Sequence, residues 1–387
     1  MKIFLLLSLL RAIGLAAVPE SACFGPLVAD RKKFIDLPEG FTYQVLLESG
    51  KKMTDGKPYP QRPDMTIYKS TGKGRAYLIV GHEIAADINP EWGTGALTQH
   101  HFINGRLERS KLIADGMRNN CGGSMTPWGT VLTNEEFPRD QKDFPDEGYI
   151  WEVDPRTGHR QRRDPLGRFS HETAIVAKDG SVYMTEDHED GMLWRFIPKE
   201  PGDLGAGTLY AYNRMRRFWA PISHPTDAHR AGIMADGTPF NRFEGMVMSA
   251  DGRFLYIAET GSENESRQDP FGRIYRMTLA NWRLEALWEG VAGVLANPDN
   301  LALDGAGNLW IFEDRFEVNL KDHGANQIWV LGAKKQRCLF ARMARMGCEP
   351  TGPAFSASGR ELFFNTQCPS GKDATVLISG DFSAFSE

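Results

Sequence analysis

The chain predicts an all-β fold: a six-bladed β-propeller with a metal cluster at one mouth of its central channel. Three observations carry that expectation. A hairpin pattern recurs along the sequence at intervals of about 50 to 70 residues, the spacing of propeller blades rather than of helical solenoids. The 387 residues include 40 Gly and 22 Pro, enough turn formers to punctuate many short strands. Long apolar runs with helical periodicity are absent.

Met1 to Val18 pairs a short basic start at Lys2 with the apolar run Ile3 to Leu10 and small residues at Gly14, Ala16 and Ala17. It reads as a signal-peptide-like segment, interrupted by Arg11 and too short to span a bilayer. A buried N-terminal helix or a misplaced start codon is the alternative. Residues 24–387 read as one propeller domain. The repeats follow in order: a loose copy over Asp64 to Glu83, a clipped one over Thr126 to Glu136, then His171 to Asp187, Glu244 to Glu259, Asp299 to Asp314 and Thr351 to Asn365. Each joins two apolar-alternating strands through a glycine-containing turn such as Asp179-Gly180 or Asp251-Gly252. Stretches beginning at Met192, Arg273 and Gln327 read as third strands of their blades.

The net charge of −5 argues against a nucleic-acid binder, and 41% hydrophobic with 25% charged residues excludes a disordered chain or a polytopic membrane protein. No stretch beyond the N-terminus approaches membrane length. Nucleotide phosphate loops, Gly-x-Ser-x-Gly elbows and His-Glu-x-x-His motifs are missing, which weakens NTPase, serine-hydrolase and zinc-protease readings.

Counting outward from each turn places Glu244 opposite Glu259, Glu172 opposite Asp187, Asp299 opposite Glu313 and Asp64 opposite Glu83. These acids lie at the open ends of hairpins, and in a propeller the open ends of the inner hairpins ring one mouth of the channel. Glu83, Glu135, Glu136, Glu172, Glu186, Asp187, Glu244, Glu259, Asp299, Glu313 and Asp314 are therefore expected to converge. So many like charges demand cations or raised pKa values, and oxygen donors in this number suit Ca²⁺. Beside them, Asn120-Cys121-Gly122-Gly123 offers a thiolate, which would favour iron or zinc; the plain alternative for Cys121 is a buried free thiol or half of a disulfide. Of the five cysteines, Cys338 and Cys348 are the better disulfide candidates, while Cys23 and Cys368 stay unassigned. Arg315, next to Glu313 and Asp314, either clamps an anion or pairs with a blade acid. His100 and His101 read as one buried and one exposed strand residue, His224 and His229 lack a metal-ligand pattern, and Arg214 to Arg217 reads as a solvated edge.

In their order, Phe24-Gly25-Pro26-Leu27, Leu37-Pro38-Glu39-Gly40-Phe41, Asn120-Cys121, Thr126-Pro127-Trp128-Gly129-Thr130, Glu135-Glu136, His171-Glu172, Thr185-Glu186-Asp187, Asp190-Gly191, Glu244-Gly245, Glu259-Thr260-Gly261, Pro298-Asp299-Asn300-Leu301 and Thr351-Gly352-Pro353 resemble the PhoX family of bacterial alkaline phosphatases. The likeness spans nearly the whole chain after the signal-like segment. It implies a six-bladed propeller hydrolysing phosphate esters in the periplasm or outside the cell, with two irons bridged by a cysteine thiolate and several calcium ions. Cys121 matches the bridging position, and the acids named above match metal-binding positions. A catalytic set of Cys121, Glu172, Glu244 and Arg315 acting on a small phosphate ester is the resulting expectation, in a monomer with no membrane span and no nucleic-acid partner. Three departures stand out: Ser124 replaces a glycine, Cys368 stands where a histidine is common, and no twin-arginine pair accompanies Arg11. Rival readings are a calcium-dependent propeller lactonase, for which Asn300 beside Asp299 would serve, and a non-catalytic calcium-binding cell-surface propeller.

Overall fold

The computed structural model of the chain describes residues 23–85, 87, 90–140, 142–262, 269–315 and 317–386. The signal-like stretch Met1 to Val18 lies outside these. Six antiparallel sheets, each a blade, follow one another along the chain. Blade 1 comprises Pro63–Gly72, Arg75–His82, Gly95–Ile103 and Arg106–Met117. Blade 2 comprises Asn120–Met125, Val131–Glu135, Ile150–Val153 and Arg160–Arg162. Blade 3 starts with His171–Val176 and Val182–Glu186, blade 4 with Phe243–Met248 and Phe254–Glu259, and blade 5 with Pro298–Leu303 and Leu309–Glu313. Blade 6 begins with Glu349–Phe355 and Glu361–Gln367. The expected third strands appear as Leu193–Pro198, Arg273–Thr278 and Gln327–Leu331.

Alternating residues such as Val182, Met184, Trp194 and Phe196 face one side of their sheet and pack on the neighbouring blade, here with Leu132 and Ile150. Similar wedges fill the remaining blade-to-blade gaps, including Trp310, Phe312, Phe364 and Val376 between blades 5 and 6. Trp194 and Trp310 are fully buried, and truncating either to alanine would cost about 3–5 kcal/mol.

The ring is closed by the N-terminal chain. Thr42–Glu48 supplies the fourth strand of blade 6, pairing with Ala374–Ser379, while Ile35–Pro38 and Leu27–Val28 extend the outer edge of blade 5. The N-terminal strands thus become the outer strands of both blades at the seam. Disulfides Cys23–Cys338 and Cys348–Cys368 reinforce it. Cys338 and Cys348 are thus both oxidised but not to each other: Cys338 lies in the fourth strand of blade 5, and Cys348 directly precedes the inner strand of blade 6. No helix among the described residues is long and apolar enough to cross a membrane.

Two sequence expectations are corrected. The inner strand of blade 2 is Asn120–Met125, so the clipped copy beginning at Thr126 actually starts in the turn. The even outward count also fails, because every inner hairpin carries a register shift toward its open end.

Candidate metal centre

That shift builds the site. Across the first two strands of each blade the pairs just outside the shift are Pro63 with His82, Asn120 with Glu135, His171 with Glu186, Phe243 with Glu259, Pro298 with Glu313 and Thr351 with Asn365. The next residue on each inner strand sits in a bulge, which re-aims a side chain out of the regular ladder. Those residues are Asp64, Cys121, Glu172, Glu244, Asp299 and Gly352. Glycines let adjacent bulges touch: a Cβ on Gly122 would strike the Glu172 carbonyl, one on Gly245 the Asp299 carbonyl, and one on Gly352 the Asp64 carbonyl. Polar side chains tie the bulged backbone to the preceding blade. Asn134 donates to the Glu172 carbonyl at 2.6 Å, Thr185 to that of Glu244 at 2.6 Å, and Asn365 to that of Asp64 at 2.5 Å.

A second tier follows the second strand of blades 1 to 5: Glu83, Glu136, Asp187, Thr260 and Asp314. Their backbone N–H groups close the hairpins on Arg62, Asn119, Ser170, Arg242 and Asn297 at 2.8–3.1 Å. Four of these five acceptors adopt a left-handed backbone, with φ of 51° at Arg62, 48° at Asn119, 57° at Arg242 and 52° at Asn297. That conformation is ordinary for Asn and disfavoured for Arg. It places the two guanidiniums at the rim of the ring. Arg242 contacts Asp187 at 2.6 and 3.0 Å and Glu244 at 2.7 Å; Arg62 contacts Glu83 at 2.9 Å.

Four sets of donor atoms lie within 4.8 Å of one another: Asp64, Glu83 and Cys121; Cys121, Glu136 and Glu172; Glu136, Asp187 and Glu244; and Glu172, Glu244 and Asp299. The sets share members, so they form one connected cluster with Cys121 common to two of them. Burial first, and then the neighbouring carboxylates, push Asp64, Glu172 and Glu244 well above the usual carboxylate range, and Asp299 up to about 7. Burial would also raise Asp187, but Arg242 outweighs it and holds Asp187 low, leaving Glu136 raised by burial and by that charge. The Cys121 thiol is driven up by burial and by the acids around it, so it is no free nucleophile; only a cation would draw out its thiolate. One oxygen each of Asp64 and Glu172 is buried without a hydrogen-bond partner. Orphaned anionic oxygens beside a thiol are donors of the kind a bound cation satisfies.

The expected residues thus divide. Cys121, Glu83, Glu136, Glu172, Asp187, Glu244 and Asp299 come together. Glu135, Glu186, Glu259 and Glu313 end their strands on the far side of the shift and turn into the blades. Glu135 accepts from the backbone of Arg118, Gly148 and Tyr149. Glu186 accepts from Met192, the Trp194 indole and His229. Glu259 accepts from Asn241 and pairs with Arg273. Glu313 accepts from Ala296, Gln327 and the Trp329 indole. They stitch strands rather than line the channel. Arg315 resolves toward its structural alternative: its side chain is fully buried and donates to Glu313, Gln327 and the carbonyls of Val294 and His323, so no donor is left for a substrate. His100 is buried and His101 partly exposed, as expected, while His229 bonds Glu186.

Sequence reasoning missed Asp64 as a ligand candidate, the rim arginines and Glu349. In blade 6, Gly352 occupies the bulge, and the nearby acid comes instead from Glu349, which shares a hydrogen bond with Asp299 and whose carboxyl is raised by burial and by Asp314 and Asp299. The triplets Arg62-Pro63-Asp64, Arg242-Phe243-Glu244 and Asn297-Pro298-Asp299 carry the signal that could have found the rim: a long or amide side chain two residues before a channel acid.

Among solved structures, PhoX of Pseudomonas fluorescens in complex with vanadate, a transition-state analogue, superposes with a TM-score of 0.75 at 18% identity, covering 92% of this chain and 97% of that one. A gluconolactonase from Xanthomonas campestris superposes less closely, at 0.51 and 14% identity, covering 92% and 98%. The PQQ domain of a Coprinopsis cinerea pyranose dehydrogenase, in its holo form, reaches 0.51 at 12%, covering 91% and 98%. These likenesses establish a shared propeller fold. No curated protein matches the chain. The sequence profile described as alkaline phosphatase PhoX matches residues 22–91 and 89–370, spanning the Cys121 segment and the inner strands of all six blades, and on that match the chain belongs to the PhoX family of alkaline phosphatases.

Proposed function

We propose that the chain hydrolyses small phosphate monoesters at the channel mouth, using two irons bridged by Cys121 and calcium ions held by the all-oxygen part of the cluster. The observation that carries this reading is the sharing of one thiol by two donor sets, Asp64 and Glu83 on one side, Glu136 and Glu172 on the other. A soft donor favours iron where it is present, whereas the sets built from Glu136, Asp187 and Glu244 and from Glu172, Glu244 and Asp299 offer only hard oxygens suited to calcium. Bound there, the cations would neutralise charge gathering on the phosphoryl oxygens during in-line displacement. The chain itself would orient the ester. Arg242 stands at the rim between Asp187 and Glu244 with 14% of its side chain exposed. Once those carboxylates are engaged by cations, its guanidinium can turn a pair of N–H groups to a phosphate oxygen. Arg62, 36% exposed and bonded to Glu83, can do the same across the ring.

The two disulfides suit an oxidising compartment, which supports a periplasmic or secreted location. The test is elemental analysis of purified protein alongside hydrolysis of an aryl phosphate monoester. The expectation is about two irons per chain with calcium, and both iron and turnover lost in Cys121→Ser while calcium stays bound. Iron-free protein that turns over the ester at full rate, or an active Cys121→Ser, would refute the proposal.

A further inference from the structure

Blade 6 closes its hairpin differently from the other five. Blades 1 to 5 begin their inner strand at the residue just before the bulge and seal the open end with a backbone bond from the second tier, to which blade 4 adds one from Gly261 to the Asn241 carbonyl. In blade 6 the inner strand starts two residues earlier, at Glu349. The ladder continues outward from Thr351 with Asn365, through Pro350 with Thr366, to Glu349 with Gln367. Immediately beyond that last pair stands the Cys348–Cys368 disulfide. Both residues of the last pair reach the cluster. Gln367 donates to Asp64 at 3.2 Å and to Glu83 at 2.9 Å, and Glu349 shares a hydrogen bond with Asp299. Gly352 leaves the bulge of this blade without a donor, so Glu349 and Gln367 are what blade 6 contributes to the ring.

We infer that the Cys348–Cys368 disulfide is a positioning element of the cation site, holding Glu349 and Gln367 against Asp299, Asp64 and Glu83. The inference rests on the cation-binding part of the proposed function and not on the reaction. Cys348 and Cys368 are 2% and 8% exposed, and the bridge spans a separation of 20 residues, most of it the hairpin already held by its own ladder. A bridge of that span constrains the unfolded chain less than Cys23–Cys338, which spans 315. A bridge acting only as a staple would therefore matter less to stability than Cys23–Cys338 and not at all to cation affinity.

The experiment compares calcium affinity by titration calorimetry, and stability by denaturant unfolding, in the full chain, in Cys348→Ala/Cys368→Ala, in Cys23→Ala/Cys338→Ala and in Glu349→Gln. The expected result is calcium binding at least tenfold weaker in the first double variant and in Glu349→Gln, against less than a twofold change in the second double variant, which should lose more stability. Wild-type affinity in a folded Cys348→Ala/Cys368→Ala protein would overturn the positioning role while leaving the proposed function intact. Should that variant fail to fold, Glu349→Gln decides, because it retains both disulfides and wild-type affinity there would equally overturn the inference. A full chain that binds no calcium would sink the inference together with the cation-binding reading beneath it.

Discussion

Stripping the cations should turn the cluster into a liability whose size depends on pH. Asp299 is 5% exposed, and burial followed by the charge of Asp314 lifts its carboxyl from the ordinary 3.8 to about 7. Between those two values the folded protein holds a proton that the unfolded chain has released. Stability therefore falls as pH rises through that window, and the deficit is complete above about 7. Three units at 1.36 kcal/mol each amount to roughly 4 kcal/mol from this one group. Asp64, Glu136, Glu172, Glu244 and Glu349 are shifted in the same direction, so the total loss is larger and extends to higher pH. Against a typical net stability of about 5–15 kcal/mol, the stripped protein should be marginal on the alkaline side. Calcium at about a hundred times its dissociation constant would restore some 2.7 kcal/mol per site. The assay is urea unfolding of stripped and calcium-loaded protein at pH 5, 6, 7 and 8. Stripped protein should lose stability by several kcal/mol across that series, with the gap between the two preparations widening as pH rises. Stripped protein that gains stability with pH, or shows no response to calcium at pH 8, would refute this account of the cluster.

Three substitutions probe the rest of the assignment. Arg242→Ala should lower kcat/KM for a phosphate monoester by about a hundredfold, the scale of removing one transition-state donor, while Arg242→Lys recovers only part of it because a point charge cannot replace the paired N–H groups. Arg315→Met should leave activity per folded molecule near wild type and reduce unfolding free energy by about 3–5 kcal/mol, since it strips Glu313 of its buried partner; selective loss of kcat instead would restore a substrate-binding role. Gly245→Ala should destabilise by about 1–3 kcal/mol and weaken calcium binding, because the added methyl meets the Asp299 carbonyl and must push the neighbouring bulge away; unchanged calorimetry would show that the bulges need not touch.

What the sequence disclosed and what it hid have one physical cause. Strand alternation is a period of two, so the blades and their third strands were legible from apolar spacing and turn residues alone, and the acids were visibly concentrated at hairpin ends. A bulge breaks that period by one residue without changing composition. It moved Glu172, Glu244 and Asp299 into the channel and turned Glu186, Glu259 and Glu313 into the blades, a division that even counting could not see. The glycines Gly122 and Gly245 were the local trace of it, since each sits directly after a bulge residue where two backbones meet. Arg62 and Arg242 were hidden for a related reason: a left-handed conformation at arginine has no propensity signal, because the hairpin-closing bond and the ring's charge impose it. Cys23 and Cys338 lie 315 residues apart and meet only because the N-terminal chain closes the ring, so no spacing argument could pair them.

Blade 6 shows how far the cluster depends on fold rather than motif. Its bulge carries Gly352, not an acid, and read as a repeat it is the blade that contributes nothing. Folded, it brings Glu349 and Gln367 to Asp299, Asp64 and Glu83 from a ladder two pairs longer than its siblings, ending in a disulfide. Five blades hold their open ends with one or two backbone bonds and supply a donor from the bulge, whereas the sixth, where the N-terminal strand closes the circle, supplies its donors from beyond the bulge and fixes them covalently. A cluster of mutually repelling acids can be held this closely only if no blade is free to swing outward, and the seam blade, joined from both chain ends, is where that restraint is most needed.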